Sequence, residues 1–233
     1  MIVKPLEIQK EVAEEKFEPE IAPKVEEKRV VAPIEAEKFQ ADGTRKVLNI
    51  ILLIDVSKSM ELANRIETLK KTIINLVQNY QSNDQLAILT FNDQVNTLIE
   101  RGKVLDKNAT ILKIKSIQPS GTTDGVLGID VAFDILQNNM ESNAINMVII
   151  ATDGKISNNS YDDKKMFEKI ERMNEKGILT SVVGFGTKGY ENTKLNKMSA
   201  IGGGLFIDLS SNFENQESVL LDEIYMTLLK VNR

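Results

Sequence analysis

The chain has 233 residues, 42% of them hydrophobic and 27% charged, enough for one well-filled domain and some additional chain. Its 34 acidic residues outnumber the 29 basic ones for a net charge of −5, the wrong sign for a nucleic-acid surface. Neither Cys nor His occurs, which excludes disulfides, thiolate and Ser-His-Asp catalysis, and metals held by nitrogen or sulfur; any bound metal must be a hard ion in an oxygen shell, such as Mg2+, Mn2+ or Ca2+.

In chain order, residues 1–45 come first and differ from the rest. They hold Pro5, Pro19, Pro23 and Pro33, four of the five prolines, among many Glu and Lys. Prolines at that spacing interrupt helices, and little apolar surface lies between them, so this segment is expected to be a flexible tail or linker. Such a tail can tether the domain within a larger multiprotein complex. The opening MIVKPLEIQKEVAEEKFEPE has no apolar run of signal-peptide length, and no stretch anywhere approaches the roughly 20 apolar residues of a membrane span. A cytoplasmic protein with no membrane span is therefore expected.

The folded domain is expected over 46–233, where strands alternate with helices. VLNIILLID (47–55) is apolar on both faces, as a central parallel strand is. Helical spacing over 62–80 places Leu62, Ile66, Leu69, Ile73, Leu76, Val77 and Tyr80 on one side. QLAILTF (85–91) is a second buried strand, and QVNTLIER (94–101) alternates like an edge strand pairing back on it. Helices are expected over 109–117 and 125–139, and NMVIIATD (146–153) is another two-sided strand. A helix over 161–176 stops at Gly177. A strand at 178–185, a short helix at 193–200, a strand at 204–209 and a closing helix over about 215–231 complete the pattern. The fold class is α/β: a doubly wound, mainly parallel sheet with one antiparallel edge strand and helices on both faces.

In such sheets ligands sit beyond the carboxyl ends of the strands, where strand order reverses. Three segments leave that edge bearing oxygen: Asp55-Val56-Ser57-Lys58-Ser59, Ser120-Gly121-Thr122-Thr123-Asp124 and Thr152-Asp153-Gly154. After a strand end the chain turns, so Asp55, Ser57 and Ser59 can converge on one point instead of alternating. Taken alone, each segment has a plainer reading. Asp55 and Ser57 have the residue types of a helix cap, Thr122 follows a Pro-Ser-Gly turn, and Asp-Gly is a turn signature.

Together the segments resemble the von Willebrand factor A domain, the integrin I-like type, of bacterial kind. The motifs are D-x-S-x-S at 55–59 followed by Met60, S-G-T at 120–122 and T-D-G at 152–154; the resemblance covers about residues 46–231. It implies a Rossmann-like fold with a metal-ion-dependent adhesion site. Ser57, Ser59 and Thr122 would offer hydroxyls to a divalent ion, with Asp55 and Asp153 close by and acting through water. Neutral ligands leave the ion most of its charge, and an octahedral ion keeps a position for an incoming oxygen. The implied function is a protein–protein interaction module that grips an Asp or Glu side chain of a partner through Mg2+, Mn2+ or Ca2+. Lys58, Thr123 and Gly154 are the expected partner contacts. Position 58 is commonly Gly in the family; here Lys58 points to pairing with an acidic partner.

Two other functions compete. One is a scaffold subunit whose metal site is degenerate, with Lys58 as its support. The other is a metal-dependent hydrolase, for which Asp153 is the only general base in the cluster; the expectation is no enzyme. GFGTKG (184–189), with Asp208 further on, imitates a dinucleotide fingerprint. Residues 190–194 look polar and turn-like, however, where that motif needs a helix, and Gly202-Gly203-Gly204 reads as a flexible lead into a strand.

Overall fold

The computed structural model describes residues 47–156, 160–187 and 189–209. The expected tail and the expected closing helix over 215–231 lie outside the described residues. The elements are β1 (Val47–Asp55), a 3-10 segment (Lys58–Asn64), α1 (Arg65–Asn79), β2 (Gln85–Phe91), β3 (Val95–Lys103), α2 (Lys107–Lys115) and α3 (Gly125–Gln137). They continue as β4 (Ala144–Thr152), α4 (Ser160–Glu175), β5 (Ile178–Gly184), α5 (Gly189–Ile201) and β6 (Gly203–Asp208).

One sheet runs β3-β2-β1-β4-β5-β6. Every neighbouring pair is parallel except β2 with β3, so the antiparallel strand stands at one edge. The apolar run of β1 divides by pleat. Leu48, Ile50, Leu52 and Ile54 enter a core with α1 and α2, while Ile51 and Leu53 enter the opposite core with α3, α4 and α5. Each fully buried Ile or Leu contributes about 1.5–3 kcal/mol, which makes β1 the main anchor of both layers. Among the described residues, no helix is long and apolar enough to cross a membrane.

From β1 the chain moves outward to β2 and β3, then returns across β1 to build β4, β5 and β6. Strand order thus reverses between β1 and β4, and a crevice opens between their carboxyl ends. Asp55 closes β1 and Thr152 closes β4, one on each side of that switch point.

Three expectations need correction. The helix expected over 62–80 is two pieces, because Ala63 (φ 51°) and Asn64 (φ 61°) are left-handed and a regular helix begins only at Arg65. Tyr190–Lys194 is helical, not a turn: α5 starts at Gly189, directly after the glycine loop. The triple glycine is a tight contact and not a flexible lead. A Cβ on Gly202 would lie 2.5 Å from Thr180 Cβ, and one on Gly204 would overlap the Thr180 carbonyl. Only glycine lets β6 approach β5 there.

A polar network escapes the hydrophobic pattern. Asn49, fully buried within β1, donates from Nδ2 to Asn146 Oδ1 (2.7 Å) and to the Asn139 carbonyl (2.9 Å). Its Oδ1 accepts from Arg101 Nε (3.1 Å), and Arg101 Nη2 pairs with Glu141 at 2.6 Å. Nearby, buried Asp84 accepts from the amides of Leu48 (3.0 Å) and Gln81 (2.8 Å). These groups lock the amino-terminal edge of the sheet.

Candidate metal centre

At the opposite edge, Asp55 is fully buried and its two oxygens are used differently. Oδ1 accepts the Ser57 amide at 2.8 Å, which folds the chain back immediately after β1. Oδ2 accepts the Thr152 hydroxyl at 2.8 Å, tying the end of β1 to the end of β4. Thr152 Oγ1 in turn accepts the Gly154 amide at 3.1 Å. Thr152 belongs to the third oxygen-bearing segment named in the sequence, where the pattern assigns it no role; the structure makes it a positioning residue.

The turn leaves the serine side chains uncommitted to capping the next helix. Ser57 stands where a helix cap would, yet its side chain makes no capping bond. Capping oxygens appear instead at Asp106 and Asp124, which open α2 and α3. The hydroxyls of Ser57 and Ser59 lie 3.1 Å apart and share one hydrogen bond. Each hydroxyl carries two lone pairs, so the pair keeps acceptor capacity.

The second segment is docked on the first through the backbone. The Ser120 amide donates to the Val56 carbonyl (2.7 Å) and the Lys58 amide to the Gly121 carbonyl (3.3 Å). Asn92, after β2, braces the segment with Nδ2 against the Ser120 carbonyl at 3.0 Å. Within it Thr122 is exposed and Thr123 half-buried.

Asp153 completes the group, with its side chain only 7% exposed. It is paired with Arg65, whose Nη1 lies 2.7 Å from Asp153 Oδ2 and 3.3 Å from the Ser59 carbonyl. This contact joins the first and third segments, and nothing local in the sequence announces it across 88 positions. Gly154, expected to face a partner, is instead buried; a Cβ there would lie 2.8 Å from Glu191 Cβ. Lys58 is exposed beside the serines.

Burial pushes the Asp55 carboxyl up from 3.8 to about 6, overriding the opposite pull of hydrogen bonds from Ser57 and Thr152, and Asp153 nearby adds to the rise. A carboxylate held out of water beside a second carboxylate is stabilised by a cation. The described residues bring no three acidic side chains together. A cation here would therefore rest on two carboxylates and the hydroxyls of Ser57, Ser59 and the 120–124 segment, an oxygen set that fits a hard divalent ion.

The glycine loop after β5 offers no open phosphate cradle, although it does open a helix. A Cβ on Gly186 would lie 2.8 Å from Arg65 Nη2, so the guanidinium occupies the space above that glycine.

The chain is thus a doubly wound α/β domain with an oxygen-lined site at the switch point of its sheet. The model of the von Willebrand factor type A domain matches residues 49–223, and the chain belongs to that family, whose modules often mediate metal-dependent protein interactions. It is 25% identical over 183 residues to the uncharacterized protein YfbK of Escherichia coli, a match covering 78% of this chain and 32% of that protein. The chain therefore spans about a third of that relative's length. In fold it is similar to the conserved hypothetical protein BatB of Bacteroides thetaiotaomicron (TM-score 0.62, 20% identity, 77% of this chain and 98% of the other). It is also similar to proximal thread matrix protein 1 of the mussel byssus, solved with a zinc-occupied MIDAS motif (TM-score 0.63, 19% identity, 79% and 46%).

Proposed function

We propose that the domain over residues 46–233 is a divalent-metal-dependent protein-binding module. Ser57, Ser59 and Thr122 hold the ion by their hydroxyls, and Asp55 and Asp153 supply charge at its back. Mg2+ is the expected ion, with Mn2+ or Ca2+ as substitutes. The ion supplies an open coordination position for a partner's Asp or Glu, and Lys58 and Thr123 are the residues expected to contact that partner. The observation that carries this reading is the buried Asp55, which spends its hydrogen bonds on orienting the Ser57 turn and Thr152 while the paired serine hydroxyls stay uncommitted to capping. Residues 1–45 would tether the module within a larger assembly, in a cytoplasmic setting.

A hydrolase is disfavoured by the same geometry. The expected general base, Asp153, has its Oδ2 taken up by Arg65 at 2.7 Å instead of facing an open water position. A scaffold with a degenerate site is the second reading, supported by the two cations Arg65 and Lys58 at this edge.

The test is a random peptide-display library panned on the full chain in Mg2+. Sequences containing Asp or Glu should be enriched, EDTA should release them, and Ser57→Ala with Ser59→Ala should prevent capture while circular dichroism stays unchanged. Enrichment indifferent to EDTA and to the serines would refute the reading.

A further inference from the structure

Arg65 has no place in the set of hydroxyls and carboxylates, yet it reaches the first and third of the site's segments and the glycine loop beside them. Ala63 and Asn64, both left-handed, turn the chain between the 3-10 segment and α1 and so bring the first residue of α1 back over the loop it has just left. There the guanidinium meets the Ser59 carbonyl from the β1 loop, Asp153 from the β4 loop and Gly186 from the β5 loop. The side chains of the ion pair are 17% and 7% exposed, so the pair is screened far less than one on the surface. Gly186 is left-handed (φ 66°), and its missing side chain is what leaves room for Nη2.

We propose that Arg65 is the resident cation of the site: it competes with the divalent ion for Asp153 and sets how much metal the site requires. The proposal rests on the metal-binding reading above and adds a property to it. Asp55 and Asp153 ionised carry two negative charges, and Arg65 reduces that to one. An arriving ion must draw Asp153 away from the guanidinium or accept a positive neighbour. Either way affinity is lowered, and occupancy becomes responsive to metal concentration instead of saturated. Loading then exchanges a loop arrangement held by Arg65 for one held by metal.

The test titrates MnCl2 into the full chain by calorimetry and follows melting temperature with and without the ion. Arg65→Gln should bind Mn2+ at least about tenfold more tightly than the wild type, a floor set by the repulsion between a unit charge and a divalent ion a few ångströms apart even at the dielectric of water. The same variant should melt below the wild type in EDTA, since buried Asp153 loses its partner, yet gain more from Mn2+. A purely structural role predicts the first effect and not the second. Lys164→Gln, which removes an exposed charge on α4, should match the wild type. Arg65→Lys, which keeps the charge but loses the fork, should bind Mn2+ with an intermediate Kd and decides the matter if Arg65→Gln does not fold. Equal or weaker Mn2+ binding by the folded Arg65 variants overturns the proposal. Failure of both wild type and variants to bind Mn2+ would remove the metal reading itself and this proposal with it.

Discussion

The two ends of the sheet each bury an aspartate at the end of a strand network and surround it differently. At the amino-terminal edge, Asn49, Asn146, Arg101, Glu141 and Asp84 are saturated with partners from the protein itself. At the carboxyl edge, Asp55 is buried with its pKa pushed up to about 6, and the Ser57 hydroxyl lies against both that carboxylate and the Ser59 hydroxyl. A polar network closed on itself holds a structure together; hydroxyls with lone pairs to spare can take a partner from outside. Asp84 at one end and Asp55 at the other both have each oxygen bonded, so the difference lies in their neighbours: amides and an arginine at one end, hydroxyls at the other.

The contrast can be tested by breaking each end. The largest effect is expected at the saturated end. Asn49→Ala removes three hydrogen bonds and leaves Arg101 and Asn146 short of partners, so urea unfolding should show a loss of about 3–5 kcal/mol. That loss should be the same in Mg2+ and in EDTA; rescue by Mg2+ would erase the distinction drawn between the two ends.

A smaller effect, of opposite character, is expected from Asp55. Its folded pKa of about 6 exceeds the unfolded 3.8, so the folded state binds the proton more tightly. Stability from this group is then complete below pH 4 and is lost as pH rises through about 6, a total of about 3 kcal/mol. In EDTA, wild-type stability measured against Asp55→Asn should decline over that window, and Mg2+ should offset the decline by binding the carboxylate. A difference between the two proteins that is flat with pH would show that Asp55 is as comfortable as its counterparts at the other end.

The smallest effect is expected from Lys58→Ala. Stability should change by no more than about 0.5 kcal/mol, as for other exposed positions. Capture of acidic display peptides should weaken a few-fold, most clearly at low salt. Unchanged capture at low salt would leave Lys58 without a part in partner contact.

Much of this was readable in the chain, for identifiable reasons. Two-sided apolar runs such as ILLID and MVIIAT allow only a strand covered on both faces, and the polar residues that end them fall at the edge where such sheets bind ligands. Asp55, Ser57 and Ser59 are neighbours in sequence, so their convergence needed only the turn. The rest depends on contacts that leave no local trace. Periodicity carries through Ala63 and Asn64 although the backbone does not, because left-handed residues without glycine give no compositional warning. The start of α5 was hidden by its polar first turn. Asn49 sits inside an apolar run and looks like an interruption until Asn146 and Arg101 are placed around it. Arg65 has the composition of an ordinary helix residue, and only the folded sheet brings it to Asp153.

One consequence follows from β3. It is the outermost strand on its side, only partly buried, and its pairing with β2 slips out of register between Leu86 and Leu89. Glu100 and Lys103, both exposed, stand near its carboxyl end. A margin so kinked and charged is a poor template for another strand, so copies of the domain brought close together by a common partner would not zip into a continuous ribbon along this side. Crowding on an assembly is thereby separated from aggregation.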